Sequence, residues 1–185
     1  MAESKNNVVM KGTSGKFADM IVFRQWFGRT IMGKIPRKVQ TESDVQRGIR
    51  SKFKLAAAYA RVAIADPATK QLYSKMASPG QTAFNLALAD YFTPPTVDNI
   101  DTDGYTGVVG SKIEIEANDD FMVKSVDVKI AKADGTLIEQ GPAVADGLKW
   151  TYTATQANPV LSGTKITVTA KDLPANMTAL DKILA

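Results

Sequence analysis

Between residues 16 and 38 the chain interleaves cations with aromatic rings: Lys16, Phe17, Phe23, Arg24, Trp26, Phe27, Arg29, Lys34, Arg37 and Lys38. Lys and Arg neutralise phosphates and an exposed ring stacks on a base, so the pattern suits nucleic-acid contact. A β-hairpin that carries it is narrow enough to enter a groove. The same residues suit an acidic protein surface, including the acidic half of another copy in a head-to-tail assembly. In the plainest reading Phe17, Phe23 and Phe27 fill a small core and the charges face water. Arg47, Arg50, Lys52 and Lys54 form a second basic set, first of all a solvated helix face, and phosphate-binding only if it continues the hairpin surface. The predicted partner or nucleic-acid binding residues are therefore Lys16, Arg24, Trp26, Arg29, Lys34, Arg37, Lys38, Arg47 and Arg50.

Other chemistries are poorly supplied. The chain has no histidine and no cysteine, which removes the commonest general base, thiolate ligands, disulfides and cysteine nucleophiles. Asp98, Asp101, Asp103, Asp119 and Asp120 offer oxygen ligands of the kind calcium takes. The run from Asn99 to Gly104 begins like a calcium loop, but its twelfth position is Gly110 where such a loop needs Glu. Acidic turn residues account for the cluster more simply. Gly12-Thr13-Ser14-Gly15-Lys16 lacks the spacing, the following Ser/Thr and the helix of a phosphate loop. Glu114 and Glu116 point the same way from an alternating strand, with nothing to raise a carboxyl pKa as a glycosidase acid requires. No enzyme activity, no metal and no cofactor is expected.

The charge is divided along the chain. Residues 1–80 carry 15 Lys/Arg against 5 Asp/Glu, and residues 81–185 carry 8 against 14. Such a split predicts two modules with different partners. The opening Met-Ala-Glu-Ser-Lys-Asn-Asn lacks the apolar centre of a signal peptide, and no apolar run approaches the roughly 18–20 residues of a membrane span. The expectation is a soluble protein, cytoplasmic or in a virion, that leaves the cell only by assembly or lysis.

The elements that must position these residues follow from periodicity. Residues 1–7 and the segment around Val8 read as an arm, with Val8–Met10 a brief apolar run. Ala18–Arg24 and Thr30–Ile35 read as a hairpin turning at Gly28 and ended by Pro36. A helix opens at Thr41, three residues before Asp44, and carries Val45, Ile49, Phe53, Ala56, Ala60 and Ala63 at spacings of three or four to about Ala65. Asp66-Pro67 starts a second helix. Residues 81–92 make a third, and Thr93-Pro94-Pro95 reads as a stiff linker. Beyond Thr96 the period is two: Lys112–Ala117, Val123–Ala131, Leu137–Glu139, Leu148–Thr155, Lys165–Ala170 and Met177–Leu184, with a tight turn at Asp134-Gly135.

The run Val126-Asp127-Val128-Lys129-Ile130, then Ala133-Asp134-Gly135-Thr136, then Trp150-Thr151-Tyr152-Thr153 resembles bacterial immunoglobulin-like domains. The resemblance covers roughly residues 96–185 and implies an antiparallel β-sandwich with Trp150 in its core. Such modules serve as spacers, adhesins and particle decorations, so the likeness speaks to fold more than to task. Gly15-Lys16, Lys34-Ile35-Pro36-Arg37-Lys38, Thr41 and Gln46-Arg47 resemble, more loosely, small uncharacterised proteins of bacteria and phages. Together these imply an α+β chain of two domains: a basic hairpin and three-helix module over 1–93 and an immunoglobulin-like β-sandwich over 96–185. The implied role is a structural protein of a phage-like particle, an oligomer whose partners are copies of itself or other virion proteins. The alternative is a nucleic-acid-binding protein using the hairpin and first helix. A carbohydrate surface around Trp150 ranks last.

Overall fold

A computed structural model describes residues 2–4, 8–18, 20–35 and 42–185. Pro36, Arg37, Lys38 and Thr41 lie outside the described residues. The chain divides into two compact units, Met1–Lys52 and Phe53–Ala185, so the boundary expected at 93–96 falls inside the second unit.

In the first unit, β1 (Ala2–Ser4), β2 (Gly15–Phe17), β3 (Ile21–Trp26) and β4 (Arg29–Lys34) form one antiparallel sheet in the order β1-β4-β3-β2. Part of the expected arm is thus a strand, because Ala2–Ser4 pairs with Thr30–Met32 of β4. Val8–Met10 is a turn rather than an extended run. The β3–β4 hairpin closes through two residues, Phe27 (φ 46°) and Gly28 (φ 74°). Two successive positive φ values define a type I′ turn, whose twist matches the flanking strands. Gly28 meets that demand without strain, and Phe27 does not.

The first helix, α1 (Asp44–Ala65), begins at a capping box different from the expected one. The Ser43 hydroxyl accepts from the Gln46 N–H at 3.2 Å, and the Gln46 side-chain oxygen accepts from the Ser43 N–H at 3.0 Å. Ser43 and Gln46 satisfy two orphan donors reciprocally. The second helix, α2 (Pro67–Met76), starts as expected: the Asp66 carboxylate accepts from the Thr69 N–H at 2.8 Å, and Pro67 needs no partner. The third, α3 (Ala83–Asp90), is capped by Thr82 and is shorter than residues 81–92. Among the described residues no helix is long and apolar enough to cross a membrane.

The two-residue period beyond Thr96 becomes two further antiparallel sheets. One contains β5 (Thr96–Asp101), β6 (Lys112–Asn118), β10 (Lys149–Thr153) and β9 (Val144–Asp146), in that order. The other runs β12 (Met177–Ile183), β11 (Lys165–Asp172), β7 (Val123–Ala131) and β8 (Leu137–Pro142). Register aligns the apolar phase of each strand with its neighbour: Val128 lies opposite Val168, and Ile130 opposite Ile166. Ile113 and Ile115 from the first sheet and Val126, Val128, Ile130, Ile166 and Val168 from the second are all fully buried in one core. Each such side chain contributes about 1.5–3 kcal/mol relative to exposure. Trp150 is half-buried and packs on the edge of this core, while Tyr152, two residues on, is buried within it. The chain is therefore mixed α+β, with three helices and three antiparallel sheets among its described residues.

The loop after β5 closes by a near contact of two backbones. Gly107 (φ +75°) accepts from the Asn158 N–H at 2.8 Å, and a Cβ on it would lie 2.2 Å from the Asn158 carbonyl oxygen. Gly107→Ala combines positive-φ strain with a backbone clash. We expect it to destabilise the second unit by about 2 kcal/mol or more, seen as a lower urea midpoint at unchanged slope.

Candidate functional site

Two regions have the makings of a site, one in each unit. In the first unit, side chains opposite one another across an antiparallel pair share a face. The pairs Lys16↔Val22, Arg24↔Ile31 and Trp26↔Arg29 put Lys16, Arg24, Trp26 and Arg29 on one face of the sheet. The pairs Phe17↔Ile21, Phe23↔Met32 and Ile21↔Lys34 make the other face apolar, with Lys34 at its margin. Register thus brings together four of the predicted binding residues and separates Lys34 from them. Phe27 stands at the hairpin tip, 62% exposed, its ring edge-on to Trp26 with centroids 5.3 Å apart. Phe17 is exposed as well, so Phe17 and Phe27 do not fill a core. Thr30 is the one buried residue among those described in 8–52.

Arg47 and Arg50 sit on the first turns of α1, on the side away from Val45, Ile49 and Phe53 by the helical period. Arg47 pairs with Asp44, and Arg50 with Glu42 at 3.0 Å. These ion pairs are local and exposed, so they reduce the positive field of the helix while adding little stability. Val45, Ile49 and Phe53 are 72%, 62% and 53% exposed. They continue the same face as Ala56, Ala60 and Ala63, which are buried.

The second region lies in the second unit, where the helices meet the sheets. Tyr73 of α2 is fully buried, and its ring stacks on Phe121 of the β6–β7 loop with centroids 4.3 Å apart. Its hydroxyl donates to Asp90 Oδ2 at 2.5 Å and accepts from the Tyr59 hydroxyl at 2.9 Å. Asp119 Oδ2 accepts from the N–H groups of Phe121 and Met122 at 3.0 and 2.8 Å. Both oxygens of Asp172 accept from Asn176, whose amide also donates to the Tyr91 carbonyl. One carboxylate oxygen of each of Asp90, Asp119 and Asp172 lies within 4.8 Å of one from each of the others. Among the described residues these three form a group that could hold a cation.

Burial pushes the Asp90 carboxyl up to about 6, against the hydrogen bond from Tyr73 and with help from the charges of Asp119, Asp172 and Asp120. Burial also raises Asp172, and it raises the Tyr73 hydroxyl, which Asp90 reinforces. Of this constellation the sequence reading included only Asp119 and its neighbour Asp120, among the acidic turns. The missed signal is one of phase. Asp90 follows Ala83 and Ala87 on the packed face of α3, and Asp172 follows Ile166, Val168 and Ala170 on the inward phase of β11.

No family model and no curated protein matches the chain. Among solved structures, the crystal structure of an engineered protein is similar at 19% identity and a TM-score of 0.37, over 56% of this chain and 26% of that one.

Asp90 makes stability depend on pH in a definite direction. Its folded pKa lies above its unfolded value, so the folded state holds the extra proton and gains from it below about pH 4. That gain is lost as pH rises through about 6. In chelator-treated buffer the urea midpoint should fall between pH 4 and pH 6.5. Asp90→Asn, which still accepts from Tyr73, should flatten that decline, and an unchanged slope would remove Asp90 as its source.

Proposed function

We propose that this chain is a non-enzymatic structural protein that associates with copies of itself, through residues 1–52, within a phage or phage-like particle. One observation carries this reading. No apolar residue described in 8–52 is buried, although the segment holds three of the four strands of a sheet and the start of a long helix. Ordering a residue costs about 1–2 kcal/mol of conformational entropy, and burial ordinarily offsets it. A unit with that pattern gains its burial from a partner.

Charge favours another copy as that partner. Residues 1–52 carry 11 Lys/Arg against 4 Asp/Glu, whereas residues 53–185 carry 12 against 15. Opposite net charge on the two parts suits a heterologous contact, which extends into rings or filaments. The aromatic hairpin tip adds to this, since exposed Trp and Phe with a neighbouring Arg are typical anchors of interfaces.

Residues 96–185 take the part of an immunoglobulin-like module that projects or bridges. Lettered A, B, C, C′, D, E, F, G in chain order, β5 to β12 give the sheets A-B-E-D and G-F-C-C′. That order supports the immunoglobulin-like reading, with isoleucine and valine where antibody domains carry a disulfide.

A second reading, nucleic-acid binding, is favoured by one specific arrangement: Lys16, Arg24, Arg29 and Trp26 share a sheet face. It requires salt-sensitive binding to random duplex DNA. In that reading Arg24→Gln with Arg29→Gln lowers the slope of log K against log salt by about 2.

For the assembly reading, sedimentation over a concentration series should show the full chain associating. Val45→Lys with Ile49→Lys should leave a 19.9 kDa monomer with an unchanged thermal midpoint, because both residues are exposed. A wild-type chain that stays monomeric at its highest soluble concentration would refute self-association.

A further inference from the structure

Three carboxylates of the second unit converge without a counter-charge. Asp90 closes α3, Asp119 sits in the β6–β7 loop and Asp172 ends β11. Asp90 is only 3% exposed. Among the described residues none of the three is in an ion pair. The charges that bear on Asp90 and Asp172 are those of other carboxylates. Asp90 also stands at the C-terminal end of its helix, where the dipole is already negative. Burying unpaired like charges costs several kcal/mol per ion unless something neutralises them.

Two oxygens go further. Asp90 Oδ1 and Asp119 Oδ1 are both buried and accept from no donor. Buried acceptors without donors are uncommon in folded proteins, and a bound ion is one arrangement that satisfies them. The partner oxygens are satisfied: Asp90 Oδ2 by Tyr73, and Asp119 Oδ2 by two backbone N–H groups. Asp90 and Asp119 are thus each held by one oxygen and leave the other open, whereas both oxygens of Asp172 accept from Asn176 and would reach a cation through their remaining lone pairs.

We propose that Asp90, Asp119 and Asp172 bind one calcium ion. Calcium takes oxygen ligands at about 2.4 Å, so two ligands of one ion lie at most about 4.8 Å apart. The three carboxylate oxygens meet that limit pairwise. Magnesium, with ligands at about 2.1 Å in a strict octahedron, needs a tighter set and keeps more water. Zinc prefers the nitrogen and sulfur ligands that this chain lacks entirely. Asp119 is partly exposed, which leaves a side from which water completes the coordination shell. Bound there, calcium ties the end of α3 to both β segments and turns a repulsive cluster into a cross-link. This proposal does not depend on how residues 1–52 assemble.

The test uses the full chain, stripped with chelator and returned to metal-free buffer at pH 7.5. Calorimetric titration with calcium chloride should show one ion bound per chain, and the thermal midpoint should rise with calcium concentration. Asp90→Asn and Asp119→Asn should each weaken calcium binding by about tenfold or more. The combined variant Asp98→Asn, Asp101→Asn, Asp103→Asn should bind as the wild type does. Should Asp90→Asn fail to fold, Asp119→Asn carries the test, because Asp119 is the more exposed. No binding heat and no midpoint shift at millimolar calcium would overturn the proposal. So would calcium binding that survives in Asp119→Asn and disappears in the triple variant.

Discussion

The hydrogen bond from Tyr73 to Asp90 sits where the three helices of the chain meet the β6–β7 loop. Tyr73 belongs to α2, Asp90 ends α3, and Tyr59 of α1 donates to the same hydroxyl. Phe121, stacked on the Tyr73 ring, comes from the β6–β7 loop, and Ala60, Ala63 and Ala87 pack around them. This second core is small, so its polar contacts decide its geometry more than its area does. A short hydrogen bond to a buried charged acceptor contributes more than a neutral one, and loss of its donor strands the acceptor. The arrangement explains why the helices belong with the β-sheets in one unit. The Thr93-Pro94-Pro95 segment connects parts that are already joined through side chains.

That constraint contrasts with the first unit, whose described strands all pair while little of it is buried. Backbone pairing in the order β1-β4-β3-β2 satisfies the strands' interior donors and acceptors. Hydrogen bonding alone gives only a modest net gain over water, so a sheet needs a covered face as well. The strand pairs assign Lys16, Arg24 and Arg29 to one face and Phe17, Ile21, Phe23 and Met32, with Lys34 at their margin, to the other. The sheet thus has one face fit for charge and one fit for apolar contact. Phe27, held at positive φ on the tip, places a large ring where turns normally carry Asn or Gly.

Much of the architecture was legible in local pattern. Asp66-Pro67, Asp134-Gly135 and the alternation from Val123 to Ala131 each specify their element through neighbours a few residues away. What lay beyond local reading depended on distant pairing. The polar Ala2–Ser4 becomes a strand only because β4 has a free edge. Ser43 and Gln46 form the cap through reciprocal geometry that composition does not rank above Thr41 and Asp44. The division of basic residues between two sheet faces follows from the register of three strands. Composition changes at Thr93–Pro95, whereas the compact units divide after Lys52 and the stacking of Tyr73 on Phe121 crosses 93–95. Asp90 and Asp172 were passed over for a different reason. Each occupies an inward position whose neighbours are apolar, and an acid on the buried phase of an element is a signal in its own right.

The helix α1 joins these themes along a single stripe. From Val45 through Ile49 and Phe53 to Ala56, Ala60 and Ala63, one face recurs at spacings of three or four. Side-chain size changes along it at the point where burial begins. Alanines occupy the stretch that packs within the chain. Val, Ile and Phe occupy the stretch left open. A helix with no use for its first turns would carry polar residues there, since exposed apolar side chains favour aggregation and add nothing to an isolated helix. The stripe of α1 therefore divides in two: alanines that pack in one core with Tyr73 of α2 and Ala87 of α3, and large apolar residues that stay exposed.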